Sequence, residues 1–478
     1  MATNEFTVAI ELGSSKITGI AGKKNLDGSI TVLAVVKEDS SQCIRKGVVY
    51  NIDKTAQCLT NIITKLKTQL KHEISQVYVG VGGQSIRSVR NVIVKELPQD
   101  TIITEEMIDE LQDTNRTMNY TDQEILSATT QEFKVDNQLS RDPVGIKANR
   151  LEGNFLNVLS RKSFYNNLYS CFNKANISIA ETYLAPLTLA NSVLSEAEQR
   201  GGCVLVDLGA DTTTVSVYYK NLLRHIAVIP LGGNNITKDI ASLQMEEKDA
   251  EAMKLKYASA YTEISEIDSN KKYPIDSDRY IGAEKFVQIV EARLQEIIEN
   301  VGNQVPTEYA DKLLGGIVLT GGGSNMKNIE KAFRVYLHVE KVHCAKFVTQ
   351  TITSSNADIN AHDGRMNTIL SLLAKGNMDC AGGEVRSDLF GGTNEAAATN
   401  SATSNKEPRG GSERILTPAE KEKLDAERRK KEEEEERLKQ EALRQQKEEE
   451  EKRQNKPINK IGRKLKTFFK GVMSAEEE

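Results

Sequence analysis

Two short stretches of this chain place an acidic residue just before a glycine turn that is rich in hydroxyl groups. The first is VAIELGSSKITGIAG (residues 8–22) and the second is VLVDLGADTTTVSVY (residues 204–218). Glu11 aligns with Asp207, and the glycines two positions later align at the same offset. Apolar runs stand on each side of both turns, so the pattern predicts two β-hairpins of one design.

These turns have the chemistry of a phosphate site. Glycine lets a ligand approach the backbone, and successive N–H groups with Ser or Thr hydroxyls donate hydrogen bonds to phosphate oxygens. A neighbouring carboxylate can hold Mg²⁺ through water, because Mg²⁺ prefers oxygen ligands and keeps part of its water shell. A single copy is more typical of an ordinary hairpin, but two copies favour two similar halves that clamp one polyphosphate. The predicted metal residues are Glu11 and Asp207, and the predicted phosphate contacts are Gly13, Ser14, Ser15, Lys16, Gly209, Ala210, Asp211, Thr212 and Thr213.

A third segment, GGIVLTGGGSNMKNIEKAF (residues 315–333), runs from an apolar strand into three glycines and then into an amphipathic helix. Such glycines let the backbone lie flat against a ring or a ribose, and the helix N-terminus adds a favourable dipole. The predicted contacts here are Gly321, Gly322, Gly323 and Ser324. The chain contains neither GxGxxG nor the P-loop pattern GxxxxGK[ST], which argues against those two nucleotide-binding folds.

The composition is that of an ordinary globular protein with more than one domain. The chain has 478 residues, of which 27% are charged and 38% hydrophobic, and its formal net charge is -5. That length predicts two or more domains, and the charge gives no reason to expect nucleic-acid binding. The amino terminus does not have the pattern of a secretory leader, and no apolar run of about 18 residues predicts a membrane span. The six cysteines form no CxxC pair, which favours reduced thiols over a zinc site or a disulfide framework.

Residues 1 to about 380 have the pattern of an α/β protein. Short β-branched runs such as QVYVGVGG and CVLVDL alternate with amphipathic stretches such as TAQCLTNIITKLKTQLK. Strands that alternate with helices predict parallel sheets covered on both faces. Residues 381–416 are rich in Gly, Ser, Thr, Asn and Ala, which predicts a disordered linker.

Residues 417–455 are dominated by Glu, Lys, Arg and Gln. The stretch begins with TPAE, which predicts a helix start, with Thr417 as N-cap, Pro418 at the first helical position and Glu420 closing a capping box. The leucines are too sparse for a heptad seam, so a coiled coil is not predicted. Two interpretations are open, a solvated disordered stretch and a helical spacer of about 55 Å at about 1.5 Å per residue.

The carboxyl-terminal stretch NKPINKIGRKLKTFFKGVMS (residues 455–474) is basic and amphipathic. At about 100° per residue, its apolar side chains share one face of a helix and its cations occupy the rest. A helix of this kind lies in a bilayer surface, with its apolar groups in the headgroup boundary and its cations on anionic lipid. The alternatives are a target helix for a partner protein and a helix that packs on the body of the protein. The predicted membrane-binding helix spans residues 456–473, with contacts from Ile458, Ile461, Arg463, Lys464, Leu465, Lys466, Phe468, Phe469 and Val472.

The three glycine segments, in this order, resemble the phosphate 1, phosphate 2 and adenosine motifs of the actin, Hsp70 and sugar-kinase superfamily. IPLGGNNITKDI (residues 229–240) resembles the strand-to-helix step that follows phosphate 2, which adds Gly232 to the implied contacts. AEAMKLKYASA (residues 250–260) resembles the helix whose Glu and Lys approach the ribose and adenine, here Glu251 and Lys254. The resemblance implies an actin-like α/β fold of two lobes, built from duplicated ribonuclease-H-like domains, that binds ATP with Mg²⁺.

Within this superfamily the chain resembles the FtsA family of bacterial cell-division proteins. IITEEMIDELQDT followed by DPVGIKANRLEGNF resembles the inserted subdomain 1C of that family, and VEARLQEIIENV resembles the helix that leaves subdomain 2B. The chain has Glu11 where family members often have Asp. The implied layout is subdomain 1A in residues 1–85, 161–200 and 360–380, subdomain 1C in 86–160, subdomain 2A in 201–236 and 302–359, and subdomain 2B in 237–301.

That resemblance implies a structural role in cell division. It implies a peripheral protein on the cytoplasmic face of the inner membrane at the division site, which polymerises, binds FtsZ through subdomain 2B and meets other division proteins through subdomain 1C. It implies slow ATP hydrolysis at most, with no catalytic residue assigned. The alternatives are the pilus-assembly scaffold PilM, which is not expected to carry an amphipathic tip, and a small-molecule kinase, for which no Asp base or substrate pocket can be located. An Hsp70-like chaperone would need a β-rich domain after residue 380.

Overall fold

The apolar β-branched runs of the sequence form strands, and the amphipathic stretches form helices that cover the sheets. The structure is a computed structural model that describes residues 5–384, 414, 415 and 417, and separate positions between 420 and 437. The chain divides into two compact units, one that ends at Ile415 and one that begins at Leu416.

The first lobe starts with the hairpin predicted at Glu11. Its elements are β1 (Thr7–Leu12), β2 (Lys16–Lys24), β3 (Ile30–Asp39), β4 (Ile44–Arg45), β5 (Val48–Val49), α1 (Ile52–Leu70), β6 (His72–Ile74) and β7 (Val77–Val81). Asn51 caps α1, because its side chain accepts a hydrogen bond from Lys54 N. The helix buries Leu59 and Ile62 in the core of this lobe.

An insert with a core of its own follows. Its elements are β8 (Arg87–Ile102), α2 (Glu105–Arg116), β9 (Gln123–Val135), β10 (Gln138–Ser140) and β11 (Lys147–Arg161). β8 and β9 both pair antiparallel with β11. Thr104 caps α2, and the helix buries Ile108 and Leu111 in one cluster with Phe133 and Phe155 of the sheet. The insert is therefore a packed unit in the segment predicted to be subdomain 1C.

The chain then completes the first lobe with α3 (Lys162–Lys174), β12 (Ile179–Leu184), α4 (Ala185–Val193) and α5 (Glu196–Gly201). The second lobe contains β13 (Cys203–Leu208), β14 (Thr213–Tyr219), β15 (Leu222–Ile229), α6 (Gly233–Ala241), α7 (Glu247–Tyr257), β16 (Lys272–Pro274), β17 (Tyr280–Gly282), α8 (Ala283–Asn303), β18 (Gly316–Thr320), α9 (Ile329–Leu337) and β19 (Val342–Cys344). Short 3₁₀ turns lie at Ile264–Glu266, Thr307–Tyr309 and Gly322–Asn325. The last elements are β20 (Ile352–Thr353), α10 (Ala357–Asn360), α11 (Asn367–Lys375), β21 (Ala381–Glu384) and β22 (Arg414–Ile415).

The two lobes are built on one sheet topology. The first sheet has the order β3-β2-β1-β7-β12, extended at its edges by β20 and β22, and the second has the order β15-β14-β13-β18-β19. In each sheet the three strands of the hairpins are antiparallel neighbours, and the remaining two strands run parallel to the first of them. This repetition confirms the predicted actin-like fold with duplicated domains.

The insert joins the sheet of the second lobe, although it branches from the first lobe in sequence. A backbone pairing of Arg87 with Ala227 connects β8 to β15, so the strands of the insert continue the second sheet. The insert is therefore in contact with both lobes.

Two predicted boundaries are wrong. β20 pairs with β3, and Val348 and Ile359 are buried in the first core, so the chain returns to the first lobe before residue 360. The predicted disordered linker, residues 381–416, starts with β21, which pairs with β6, and ends near β22, which pairs with β12. Ile415 is 2% exposed there, and burial of such a side chain stabilises the contact by about 1.5–3 kcal/mol. Composition could not reveal these strands, because they are short and their partners are distant in sequence.

In the second unit, the capping box predicted at Thr417 is confirmed. Thr417 N donates to Glu420 Oε2 (2.8 Å), and Glu420 N donates to Thr417 Oγ1 (3.3 Å), which are the reciprocal bonds of a helix N-terminus. The described positions from 420 to 437 are helical. The predicted membrane-binding helix, residues 456–473, lies outside the described residues. Within the part of the chain that is described, no helix is both long enough and apolar enough to cross a membrane.

Candidate functional site

A cavity of about 1190 Å³ lies between the two lobes. Its volume is sufficient for a small-molecule ligand, since such sites usually measure about 300–1,000 Å³. The two predicted phosphate turns and the third glycine turn all border it. Among the residues predicted to contact a nucleotide or its metal, Asp211 and Ser324 are outside the lining and the others are in it. Tertiary folding therefore brings together the stretches that the sequence singled out.

The two phosphate turns have the same backbone geometry. Gly13 N donates to Lys16 O (3.1 Å), and Gly209 N donates to Thr212 O (2.9 Å). A Cβ on Gly13 would lie 2.8 Å from Lys16 O, and a Cβ on Gly209 would lie 2.7 Å from Thr212 O. Both turns are too tight for a side chain at the glycine, which explains why the two motifs share it.

The predicted hydroxyl contacts differ in their surroundings. Ser14 Oγ accepts a hydrogen bond from Gly47 N (2.8 Å), and Ser15 is exposed in the cavity lining. Thr213 is buried, and its hydroxyl donates to Leu231 O (2.9 Å). Thr213 therefore secures the start of β14, while Ser14, Ser15 and Thr212 present their side chains in the cavity lining.

Glu11 and Asp207 occupy equivalent positions near the ends of β1 and β13. Glu11 pairs in register with Thr18, and Asp207 pairs with Thr214. Burial raises the pKa of Asp207 to about 6, and burial together with the charge of Asp207 raises the pKa of Glu11 to about 7. The pKa of Lys16, the cation beside Glu11, is lowered mainly by burial. Two carboxylates that repel each other in a poorly hydrated place are suited to a divalent cation. Among the described residues, no group of three or more His, Cys, Asp or Glu side chains could hold a metal ion.

The free energy of unfolding should depend on pH through this carboxylate pair. The pKa of Glu11 is about 7 in the folded chain against an ordinary 4.5, so the folded state binds the proton more tightly and stability falls as pH rises from about 4.5 through 7. Glu11→Gln removes this loss, and we expect the variant to exceed the wild type by roughly 3 kcal/mol at pH 8 and by less than about 1 kcal/mol at pH 5. Urea denaturation at both pH values measures the difference. An equal gain at pH 5 and pH 8 would contradict the role of the pair.

The third glycine turn packs on the carboxylate of Asp207. Gly321 has a φ of +81°, in the left-handed region, and a Cβ there would lie 2.2 Å from Asp207 Oδ1. Glycine is required at this position, because any side chain would strike the carboxylate. Ser324 is buried and donates to Gly321 O (2.7 Å), so its hydroxyl stabilises the turn and does not line the cavity. The helix α9 begins at Ile329, so its N-terminus does not follow the glycines directly as the sequence suggested.

The N-terminus of α6 holds the second phosphate turn in place. Gly233 N donates to Gly209 O (3.0 Å), and Asn234 N donates to Ala210 O (2.7 Å). A Cβ on Gly232 would lie 2.6 Å from Ala210 O. Gly232 therefore allows the helix and the turn to pack closely, and these amides of the helix position the turn.

Glu251 and Lys254 lie on α7, where the resemblance implied contact with a ribose and a base. Lys254 Nζ donates to Gly233 O (3.0 Å) and Thr237 Oγ1 (2.8 Å), and pairs with Glu251 Oε2 (2.6 Å). These contacts use all three hydrogen atoms of the ammonium group. Lys254 is 8% exposed, so in this structure it ties α7 to the start of α6.

Several cavity residues were not identified from the sequence. Gly47 lies in the turn between β4 and β5, and Gly82 and Gly83 follow β7. Signals for them were present, as a Lys-Gly pair between two apolar runs and as the doublet that ends GVGG. Arg365 had no such signal, because only the return of the chain to the first lobe brings it to the cavity.

Comparison with known families matches two parts of the chain. The family model described as Cell division protein FtsA matches residues 204–358, which is largely the second lobe. The model described as SHS2 domain inserted in FTSA matches residues 83–159, which is the insert. Both lie in the positions that the resemblance had implied.

A solved structure described as the PilM-PilN type IV pilus biogenesis complex has a related fold. The similarity covers 77% of this chain and 97% of the chain in that structure, with a TM-score of 0.53 and 14% sequence identity. At that identity the likeness shows the shared fold alone, so it does not support the pilus-scaffold alternative.

Three curated relatives carry the description Cell division protein FtsA. The protein of Porphyromonas gingivalis is 32% identical over 364 residues, which are 74% of this chain and 75% of the relative. The protein of Pseudomonas aeruginosa is 29% identical over 70% of this chain and 82% of the relative, and that of Escherichia coli is 25% identical over 70% and 83%. With this similarity across both lobes and the insert, the chain belongs to the FtsA family of bacterial cell-division proteins.

Proposed function

We propose that this protein is an actin-like, ATP-binding division protein that polymerises and anchors the FtsZ ring to the cytoplasmic face of the inner membrane. The observation that carries the proposal is the meeting of two matched phosphate-type turns and a third glycine turn around one interlobe cavity. In a chain of the FtsA family, this arrangement supports an actin-like role that depends on a nucleotide.

The residues of the cavity fit ATP with Mg²⁺. The backbone of the two tight turns, the hydroxyls of Ser14 and Ser15 and the amine of Lys16 are suited to phosphate oxygens. Glu11 and Asp207 would hold Mg²⁺ through water, and the bound ion would neutralise phosphate charge. The three glycines that begin at Gly321 leave a surface without side chains for the nucleoside. Hydrolysis of ATP, at most slow, is secondary to this role.

The carboxyl-terminal tip supplies the proposed membrane anchor. Its basic residues would meet anionic lipid at about 1 kcal/mol each, and its apolar face would enter the headgroup boundary. Arg414–Ile415 is paired with β12, so the first unit ends on a strand of the first lobe, and the residues that lead to the tip follow this strand in sequence. The attachment would be reversible, because ordering the tip on the surface opposes part of this gain.

Exposed apolar side chains are available to the proposed protein partners in two segments of the chain. In the segment assigned to subdomain 2B, Leu255 is 77%, Ile264 is 90% and Tyr280 is 58% exposed, which suits the binding of FtsZ. In the insert, Val92 is 51% and Leu139 is 66% exposed, which suits other division proteins or a neighbouring subunit.

The experiment that tests the proposal is imaging of the purified protein with Mg²⁺ and ATP on supported bilayers that contain anionic lipid. We expect filaments on the bilayer with the full chain and none on the bilayer with a chain that ends at residue 455. The truncated chain should still bind ATP in solution, because the cavity lies wholly within the first unit. Filaments that form on the bilayer without residues 456–478, or a full chain that never binds ATP, would overturn the proposal.

A further inference from the structure

The turn between β4 and β5 contacts both phosphate turns. Gly47 N donates to Ser14 Oγ (2.8 Å) in the first of them, and Lys46 N donates to Asp211 Oδ2 (3.2 Å) in the second. Asp211 Oδ1 also accepts a hydrogen bond from Asn234 Nδ2 (2.8 Å) at the start of α6. Two consecutive backbone amides of the first lobe therefore face the two turns that we propose to hold phosphates.

This turn is a tight hairpin turn of two residues. Lys46 has a φ of +50° and Gly47 a φ of +72°, so both lie in the left-handed region. Positive φ at both central residues is the geometry of a type I′ turn, which here joins β4 to β5. A Cβ on Gly47 would lie 2.6 Å from Gly83 Cα, and Gln84 N donates to Lys46 O (3.0 Å). The close approach to Gly83 and the hydrogen bond from Gln84 fix the backbone of the turn. They offset the cost of placing Lys46, which is not a glycine, in the left-handed conformation.

We propose that Asp211 is an internal substitute for the terminal phosphate of a nucleoside triphosphate. Its carboxylate accepts from Lys46 N the hydrogen bond that a terminal phosphate held between the two turns would accept. A triphosphate competes with Asp211 for this N–H group, whereas a diphosphate, which is shorter by one phosphate, leaves the bond to Asp211 in place. The proposal rests on the proposed binding of ATP, and it makes the turn at Lys46 the element that distinguishes the two nucleotides.

The charge of Asp211 is what makes this competition selective. A carboxylate and a phosphate repel each other when they approach one donor, so the triphosphate must displace Asp211 before it can bond to Lys46 N. Asp211 retains its bond to Asn234 on the other oxygen, which gives the displaced side chain a position within the second lobe. Asp211 is thus a positioning residue, since it acts on the nucleotide through the turn of the opposite lobe.

Because Lys46 O accepts from Gln84 N, the turn also contacts the segment that leads into β8 and the insert. If triphosphate binding moves the backbone at Lys46, the movement therefore reaches Gln84, three residues before the insert begins at Arg87. This contact provides a physical connection between the cavity and the insert, within the first unit of the chain.

Asp211→Asn in the full chain tests the proposal, because asparagine keeps the size of the side chain and removes its charge. By calorimetry with Mg²⁺ present, we expect the Kd for ATP to fall about tenfold, from the loss of one like charge, and the Kd for ADP to change less than about threefold. Asp113→Asn, an exposed acid on α2 far along the insert, is the matched control and should change neither value. Weaker ATP binding by Asp211→Asn, or an equal effect on both nucleotides, would overturn the proposal.

Hydrogen exchange gives a second readout that does not depend on affinity. In nucleotide-free Asp211→Ala, we expect the Lys46 amide to exchange at least about tenfold faster than in the wild type, while the Gly47 amide, which donates to Ser14, keeps its protection. ATP should restore protection at Lys46, and ADP should not. Unchanged exchange at Lys46 would refute the role of Asp211 alone, whereas a wild type that binds neither nucleotide would refute the proposed function as well.

Discussion

Gly321→Ala is expected to abolish measurable ATP binding and to lower the free energy of unfolding by about 2–4 kcal/mol. Gly321 has a φ of +81°, and the added Cβ would lie 2.2 Å from Asp207 Oδ1 and 2.8 Å from Leu208 O. The turn would have to move away from β13, which displaces both the proposed nucleoside surface and a proposed metal carboxylate. Titration calorimetry with ATP and Mg²⁺ measures the first effect, and urea denaturation measures the second.

Gly82→Ala is the matched control for this prediction. Gly82 also lines the cavity, but a Cβ on it would have no heavy atom within 4 Å, and its φ lies outside the left-handed region. We expect Gly82→Ala to retain wild-type stability within about 0.5 kcal/mol and to bind ATP. If Gly321→Ala bound ATP as tightly as Gly82→Ala does, the third glycine turn would not be part of the nucleotide site.

Replacement of Phe468 and Phe469 by Glu is expected to eliminate binding to anionic vesicles. Each Phe contributes about 1.5–3 kcal/mol when its apolar surface is fully buried. Each new carboxylate offsets the attraction of one basic residue to anionic lipid, which is about 1 kcal/mol. Because reversible attachment requires both the apolar and the electrostatic terms, the loss should reduce binding more than about 100-fold. Co-sedimentation with vesicles that contain anionic lipid measures it.

The control is the same chemical change at Leu389 and Phe390, which precede the tip by many residues and have no amphipathic pattern around them. The chain with both positions changed to Glu should sediment with vesicles as the wild type does. Sedimentation of the Phe468→Glu/Phe469→Glu variant at the wild-type level would instead favour a partner protein as the target of the tip.

The elements that could be predicted are those in which nearby residues decide the structure. The hairpins at Glu11 and Asp207 follow from alternating apolar residues and a glycine turn, and the helix start at Thr417 follows from a Ser/Thr-x-x-Glu pattern. The candidate phosphate turns were found for the same reason, because all the atoms of each turn come from adjacent residues. The repetition of one turn in two places also predicted two lobes of one topology.

The elements that could not be predicted depend on partners far away in the chain. The strand Arg414–Ile415 exists because β12 offers an edge for Ile415, and a composition rich in Gly and Ser around it indicates only a linker. Ser324 was expected at the cavity, but the close approach of its hydroxyl to Gly321 O turns it inward. Lys254 lines the cavity, and the sequence did not indicate its three contacts, which hold α7 on α6.

By itself, the sequence determined the turns, the helix start, the amphipathic pattern of the tip and, through resemblance, the family. The tertiary structure decided how the turns meet. It set Asp207 against Gly321, and it joined the turn at Lys46 in the first lobe to Asp211 in the second. The physical reason is that turn and helix signals are local properties of the backbone. The raised pKa values of Glu11 and Asp207 arise from burial and, for Glu11, from the charge of Asp207 on a distant segment. The contact at Lys46 likewise needs a partner that is distant in sequence.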